Sequence, residues 1–567
     1  MTGEGITRAR RTLPLMGAHL EPVRARALRV PLVVREAAIA ALLALGGAGL
    51  LNLLTPPPDD ASAHLYRALL VSRDSFLWDN LWYAGDYPLV SYSLLLYLPQ
   101  EYVGPATAAL VAVVISAALF AVLVIGRWGA PARWGSRAFG LLSLGPLFTG
   151  GYAYAVGAMV MLLCLLALQR RRHGLGFALG AVTLGVSPLA FVFLALILAA
   201  VWLEHRRFDP RTIVVAAWLA ALVVVQAAIG WLFPSEGVYP FLVGHLVAVL
   251  AIAVLGVAVA RRRPETRLIM WLLILWAVGA LLLYAVPTPV GDNLARLRYF
   301  AFPMVAIATA LVAWRPRALV VAALVASCAY GALPDLVDAV TRSDARPTQE
   351  DFWTPAVGFL AEHHTPDYRV EVVQTRGRWE AFWIPEAGYP IVRGWYRQVD
   401  LAENPVLYQR EISAWEYQSW LRSRAVKYVL LPDTPLDTEG AEAEAELLRS
   451  GRSGLELVER RGAWSFYELP DPTPLMTGPG AASILGYDHD RLRGTVSEPG
   501  LYLLRVRWMP YWETEGVADC VAAGSQGQTI VRMTAAGPFA IRATEQLDVL
   551  AERIFAAPTS GPDCSAP

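Results

Sequence analysis

From Ala37 to Leu333 the chain is a succession of apolar blocks, 12 to 22 residues long, separated by short joints rich in arginine or in proline and glycine. Backbone amides in hydrocarbon must find partners within their own segment, so blocks of this length read as helices that cross or dip into a bilayer. They fall at 37–54, 105–126, 138–149, 154–169, 174–186, 189–204, 212–232, 241–260, 267–285, 299–314 and 317–333, which predicts about eleven spans filling residues 36–333. The blocks 138–149 and 174–186 are short, so the joints Gly150-Gly151-Tyr152 and Ser187-Pro188 suit tilted or re-entrant hairpins as well as full crossings. With 56% hydrophobic and 17% charged residues, the chain is too apolar for one soluble core.

Charge divides the chain at the same place. Residues 1–333 carry 26 basic and 14 acidic side chains, and residues 334–567 carry 22 basic and 34 acidic. Loops rich in arginine stay in the cytoplasm. With the N-terminus inside, 22 arginines fall on cytoplasmic segments, and only Arg67, Arg73, Arg296 and Arg298 fall on the other side. Residues 1–35 then form a basic cytoplasmic tail. They are Pro-interrupted and carry no secretory leader pattern, so the first helix is expected to stay as an anchor. An odd number of crossings places 334–567 outside. Strand-like runs such as Tyr368–Val373, Val426–Leu431 and Trp464–Leu469 suggest an α/β domain over 334–480. Shorter strands, Leu501–Trp508 and Thr529–Met533, suggest a β-sandwich-like domain over 481–567. Cys520 and Cys564 lie in that tail and can pair in an oxidising compartment.

The outward loop 55–104 is the longest in the membrane half. It opens Pro-Pro-Pro-Asp59-Asp60-Ala-Ser-Ala-His64-Leu-Tyr66-Arg67 and continues Trp82-Tyr83-Ala-Gly85-Asp86-Tyr87-Pro88. If the segment from Ser62 is helical, Asp60 and His64 share one face of it. Over 62–73 the leucines 65, 69 and 70 oppose Arg67 and Arg73, as in an amphipathic helix lying in the interface. The bland reading makes Asp59 an N-cap, Asp60 a partner of the helix dipole, and the Trp/Tyr stretch an aromatic belt. A second outward loop, Gly291-Asp292-Asn293-Leu-Ala-Arg296-Leu-Arg298, brings arginine where the charge rule disfavours it. A guanidinium there suits an anionic phosphate, and snorkelling to lipid phosphates is the alternative.

Taken together, these residues resemble the GT-C superfamily of membrane glycosyltransferases. More narrowly, Asp60-Ala-Ser-Ala-His64-Leu-Tyr66-Arg67, Trp82-Tyr83-Ala-Gly85-Asp86-Tyr87-Pro88, Asn293-x-x-Arg296 and Arg393-Gly-Trp395-Tyr396-Arg397 look like a bacterial group within it. That group is sometimes labelled as related to 6-pyruvoyl-tetrahydropterin synthase, although nothing here suggests pterin chemistry. The resemblance implies transfer of a sugar from a polyprenyl-phosphate donor to a cell-envelope glycan, lipid or protein on the outer face. It implies Asp60 as the base, with Asp59 as rival, and His64 orienting Asp60, donating to the phosphate or joining a metal site. Arg296 with Arg298 would clamp the leaving phosphate. Trp82, Tyr83 and Tyr87 would offer stacking surfaces, with Arg67, Asp86 and Asn293 also in the substrate site. No compact carboxylate/His cluster with metal spacing stands out, and the residues neither require nor exclude a divalent cation. Besides the lipid bilayer itself, no nucleic-acid partner is expected.

Two other classes fit the layout. A transporter or flippase of envelope precursors also needs outward polar loops, but its sites lie among polar or broken helices at mid-membrane, and here charged residues fall in loops. A non-catalytic scaffold would bind glycan through tail aromatics such as Trp395, Trp508, Tyr511 and Trp512.

Overall fold

The computed structural model describes residues 30–544, apart from 91, 100–101, 207–209, 235–236 and scattered positions between 319 and 343, together with Cys564. Most of the basic tail and of the block 317–333 lies outside the described residues.

The membrane half is a helical bundle: α1 Val30–Leu54, α2 Ala61–Ser72, α3 Pro105–Trp128, α4 Arg133–Leu142, α5 Gly145–Thr149, α6 Tyr152–Gln169, α7 His173–Val186, α8 Pro188–His205, α9 Pro210–Leu232, α10 Val243–Ala260, α11 Arg267–Ala285 and α12 Arg298–Val312. Among the described residues, eight helical stretches are long and apolar enough to cross a membrane, and α7 is a shorter apolar helix. The expected block 138–149 is not one span: it divides into α4 and α5, with a break at Ser143–Leu144 ahead of Pro146. Proline interrupts the ladder because it has no N–H and fits best in the first turn, where Pro105, Pro146 and Pro188 sit, whereas Pro303 lies inside α12. At Ser187–Pro188 the serine also caps α8, accepting from the Ala190 N–H at 3.3 Å.

The arginine-rich ends of the bundle are paired. Glu36, fully buried, accepts from Arg137 at 2.8 Å, and Arg127 meets Glu204 at 2.8 Å. At the other ends, where α1 and α9 finish and α3, α6, α8 and α10 begin, the first loop and the C-terminal region cover the bundle.

In that region β1 Arg369–Val372, β2 Val426–Pro432, β3 Glu456–Arg461 and β4 Trp464–Glu468 form a mixed sheet of order β1-β2-β4-β3, its one parallel pair being β1 and β2. Helices Glu350–His363 and Ala414–Ser423 accompany it. Two antiparallel sheets follow, β10-β11-β8-β5 and β6-β7-β12-β9. Their strands are β5 Met476–Thr477, β6 Ala482–Tyr487, β7 Arg491–Val496, β8 Gly500–Arg507, β9 Trp512–Gly516, β10 Ala518–Ala523, β11 Gln528–Met533 and β12 Gly537–Ala543. Because β5 pairs with β8, the second region begins a few residues before 481. Cys520 is joined to Cys564 by a disulfide.

The first loop is the hub that locks these parts together. Leu81 O accepts from Ile391 N–H at 3.0 Å, Ala84 O accepts from Arg507 N–H at 2.7 Å, and Asn80 N–H donates to His489 O at 2.6 Å. Asp79, fully buried, accepts from Tyr66 Oη at 2.8 Å and pairs with His489 Nδ1 at 2.8 Å. The polar residues of α2, Ser62, His64, Tyr66 and Arg67, are buried against the protein, and Leu65 is left exposed.

Candidate active site

Asp60 holds the N-cap position of α2, yet its side chain caps nothing. The backbone there is already helical, with φ −76° and ψ −7°, whereas a capping residue is normally extended so that its oxygen meets the N–H two or three residues on. The N-cap thus falls on Asp60 and not on Asp59, to which the bland reading gave it, and the Asp60 carboxylate is not consumed in capping its own helix.

The corner Gly150-Gly151 between α5 and α6 fixes its surroundings. Gly150 has φ +74°, and a Cβ added there would stand 2.5 Å from the Cβ of Asp60. A Cβ added at Gly151 would stand 3.2 Å from Nη1 of Arg296. Two adjacent glycines thus bring Asp60 and Arg296 to one turn. Arg296 belongs to the 3-10 segment Gly291–Leu297 that leads into α12, and this segment is held from three sides. Asp292 accepts from His245 Nδ1 at 2.6 Å, Leu294 O accepts from Trp276 Nε1 at 3.0 Å, and Gly291, at φ +38°, leaves room for the carbonyl of Tyr239. Asn293 lies in the same segment. Arg298 follows it and is directed to Tyr299, donating to its hydroxyl at 3.3 Å with the guanidinium 5.0 Å from the ring centre.

Asp60 and Arg296 both keep part of their surface accessible, although Gly150, Gly151, His64 and Arg67 around them are buried. Burial by the surrounding protein pushes the Asp60 carboxyl up to about 6; Arg296 opposes the rise most strongly, and Asp59 adds to it. Such a group is mostly ionised near neutrality and still basic enough to accept a proton.

His64 is on the Asp60 face but fully engaged elsewhere. Its Nε2 lies 2.7 Å from Gly150 O and so donates, which leaves Nδ1 to accept from Tyr97 Oη at 2.7 Å. Burial, and after it the charge of Arg67, push its pKa down to about 3, so the ring is neutral. With both nitrogens used, His64 is a positioning residue for the Gly150 corner. Its expected alternatives, a metal ligand or a donor to phosphate, are not the roles it fills here. Asp59, the rival base, faces the C-terminal region: its carbonyl accepts from Trp395 Nε1 at 3.2 Å, and it lines a crevice with Arg376 and Trp379.

Arg67, expected as an outward contact for substrate, is instead buried. Nε donates to Pro88 O at 3.0 Å, Nη1 to Tyr97 Oη at 3.4 Å and Nη2 to Tyr396 Oη, while the guanidinium lies 4.0 Å from the centre of the Tyr92 ring. The aromatic expectations also change. Trp82 is fully buried, donates to Ala381 O at 2.9 Å and stacks on Tyr66 at 4.4 Å, so it offers no surface to a sugar. Tyr83 donates to Tyr396 O at 2.8 Å, and with Tyr87 it lines a different cavity against the β-sandwich. Asp86 is buried with neither oxygen in a well-formed hydrogen bond, and burial, opposed by Arg507, pushes it up to about 6. Trp82, Tyr83, Asp86 and Tyr87 therefore do not assemble with Asp60 and Arg296. Beside Asp60 and Arg296 stand Gly150, Gly151 and Tyr92, which are not among the expected site residues, while Tyr97 and Tyr396 hold Arg67 and His245 holds Asp292. The paired glycines in a joint between apolar blocks were the one usable signal.

Among the described residues no group of three or more His, Cys, Asp and Glu side chains is arranged to hold a metal ion. No family model matches the chain, and no curated protein matches it. Among solved structures it is similar to the crystal structure of ArnT from Cupriavidus metallidurans bound to undecaprenyl phosphate. The two share 14% sequence identity and a TM-score of 0.44, over 78% of this chain and 99% of that one.

Proposed function

We propose that this chain is a membrane glycosyltransferase of the GT-C type, moving a sugar from a polyprenyl-phosphate donor to a cell-envelope acceptor on the outer face. The observation that carries the reading is the uncapped, partly accessible Asp60 carboxylate facing Arg296 across the Gly150-Gly151 corner at the arginine-poor end of the bundle. The motif resemblance supports it independently, and a disulfide between Cys520 and Cys564 supports an oxidising, outer location for the tail.

In this reading Asp60 takes the proton of an acceptor hydroxyl as that oxygen forms its bond to the anomeric carbon. The bond from the anomeric carbon to the phosphate oxygen breaks on the opposite face, with inversion, and its electron pair leaves on the phosphate. Arg296 stabilises the charge that accumulates there. Two elements support the electrostatics. Burial keeps the base weakly acidic as a conjugate acid, and Arg296 and Arg67 give the corner a positive bias that welcomes a phosphate diester.

The test is transfer of label from polyprenyl-phosphate sugar to envelope material, measured in membranes of a host lacking the native gene. Asp60→Asn is expected to lower turnover by about 10²–10⁴, the range of a positioned base, with normal expression. Asp59→Asn is expected to retain most of it. Full transfer by both variants refutes the reading.

A further inference from the structure

A second site stands apart from Asp60. Between the end of α9, the first loop and β8 lies a cavity of about 370 Å³, lined by none of Asp60, His64 and Arg296. That volume falls in the range of about 300–1,000 Å³ typical of small-ligand pockets. Among the described residues four arginines line it, Arg369, Arg424, Arg505 and Arg507, against one carboxylate, Glu403. Glu403 is shared: it meets Arg424 at 3.2 Å and also pairs with Arg507.

Among the described residues the other two guanidiniums meet no carboxylate. Arg369, 1% exposed, donates to Arg424 O at 3.0 Å, Arg505 O at 2.5 Å and Tyr487 Oη at 3.2 Å, and its Nε has no partner. Arg505 donates to Pro474 O at 3.0 Å and Thr477 Oγ1 at 3.1 Å. Carbonyls and hydroxyls satisfy donors but cancel no charge, so among the described residues the charges of Arg369 and Arg505 stay uncompensated in a partly desolvated place. Burial and the field of Arg369 accordingly press the pKa of Arg505 below the usual arginine value. Arg424 is pressed down too, by burial first and, against the pull of Glu403, by Arg369. Such an arrangement costs free energy unless an anion enters.

The opposite wall is apolar and aromatic, with Trp231 and Leu232 from the membrane end of α9 and Trp508, Pro510 and Tyr511 from the sandwich. We infer that this cavity binds a phosphate group, with the aromatic wall accommodating the glyceryl or sugar moiety attached to it. Guanidiniums are the natural partners of phosphate oxygens because their paired donors match them. The phosphate arrives either on a lipid head group, since the cavity opens where α9 leaves the membrane, or on a free phosphorylated molecule. The inference does not depend on Asp60 chemistry, and its test reads binding rather than transfer.

The full-length protein is placed in nanodiscs of phosphatidylcholine and titrated with radiolabelled inorganic phosphate by equilibrium dialysis. In parallel, protein purified from equal mixtures of phosphatidylcholine and phosphatidylglycerol is examined by native mass spectrometry for retained lipid. Saturable inorganic phosphate binding that displaces phosphatidylglycerol supports the site with a free phosphate sufficing. Selective retention of phosphatidylglycerol alone supports it with a lipid head group as the source. In either arm Arg424→Gln with Arg505→Gln should weaken binding at least about tenfold, the factor of a hydrogen bond to a charged group. Glu403→Gln, which removes the lining carboxylate shared by Arg424 and Arg507, should tighten it severalfold. Asp60→Asn should leave binding unchanged. Absence of binding in both arms overturns the inference. So does binding that ignores the arginine substitutions in a folded variant, or weaker binding in Glu403→Gln, and the last variant carries the test should the arginine pair fail to fold.

Discussion

The Gly150 corner gives the sharpest test of the proposed site. In Gly150→Ala the new methyl carbon would stand 2.5 Å from the Cβ of Asp60 and 3.1 Å from its Cα. Carbon atoms settle at about 3.5–4.0 Å, so one side must retreat by about 1 Å. The displaced atoms are backbone and Cβ, not the tip of a flexible chain, so the retreat moves Asp60 itself. Misplacing a reacting group by about 1 Å costs on the order of 10²-fold in rate. The positive φ adds about 1–2 kcal/mol of backbone strain for a residue with a Cβ, which should lower the melting temperature without preventing folding. Gly151→Ala is the internal control. Its φ is −69°, and its nearest contact is Nη1 of Arg296 at 3.2 Å, the mobile end of a long side chain. The expected result is a turnover loss of about 10² in Gly150→Ala and only a severalfold loss in Gly151→Ala. Donor KM should change little in both, with transfer normalised to folded protein by fluorescence-detected size exclusion. Near-normal turnover in folded Gly150→Ala, or the reverse order of the two variants, refutes the placement of Asp60 as the group that must be positioned.

Further outcomes follow from the same geometry. A base acts when ionised, so kcat/KM should fall as pH drops through about 6. Arg296 favours the carboxylate, hence Arg296→Gln should move that fall to higher pH while lowering turnover by about 10²–10³; an acid limb unmoved by the substitution would separate the two residues. Trp82→Ala should cost about 3–5 kcal/mol of stability, as for a large buried aromatic, yet leave donor and acceptor KM of the folded fraction unchanged, whereas a raised KM would restore Trp82 to the substrate site. With the tail outside, Cys520 and Cys564 should resist maleimide-polyethylene glycol until reduced, and a phosphatase fused in the 334–345 segment should be active; free thiols in fresh cells together with an inactive fusion would reverse the orientation.

How much of this could be read in advance depended on whether the decisive partners lay near one another in sequence. Spans are local: hydropathy over some 20 residues finds α3, α6, α8, α9, α10 and α11 within a few positions. The block 138–149 misled because composition does not register the break ahead of Pro146 that divides it into α4 and α5. Asp60 and Arg296 were legible as exceptions, an acid after a proline run and an arginine on the wrong side. Their surroundings were not. The face of α2 that bears Arg67 has the composition of a solvated surface, and nothing within the loop announces that Tyr396, 329 residues away, will cover it. The same holds for Asp79 and His489, separated by 410 residues. An aromatic run such as Trp82-Tyr83 has one composition whether it faces sugar, lipid or a protein core, and only the burial by residues 381–396 decided it.

The choice of partners for Arg67 has a consequence for the site. A buried guanidinium is most simply neutralised by a carboxylate, as Arg393 is by Asp400 at 2.5 Å deep in the mixed-sheet domain. Arg67 is satisfied instead by two tyrosine hydroxyls, a carbonyl and the face of Tyr92, all of them neutral. Each of its three nitrogens has a hydrogen-bond partner, but its charge is not cancelled, and in low dielectric that charge reaches its neighbours. It helps keep His64 unprotonated, and with Arg296 it holds down a carboxyl that burial alone would push further up. A carboxylate in place of Tyr97 or Tyr396 would remove that bias, and it could not donate to His64 Nδ1 or Pro88 O as the tyrosines do. The tyrosine cage therefore fixes α2 in place while leaving the corner positive, which is what the proposed transfer needs for a phosphate whose charge grows as its sugar departs.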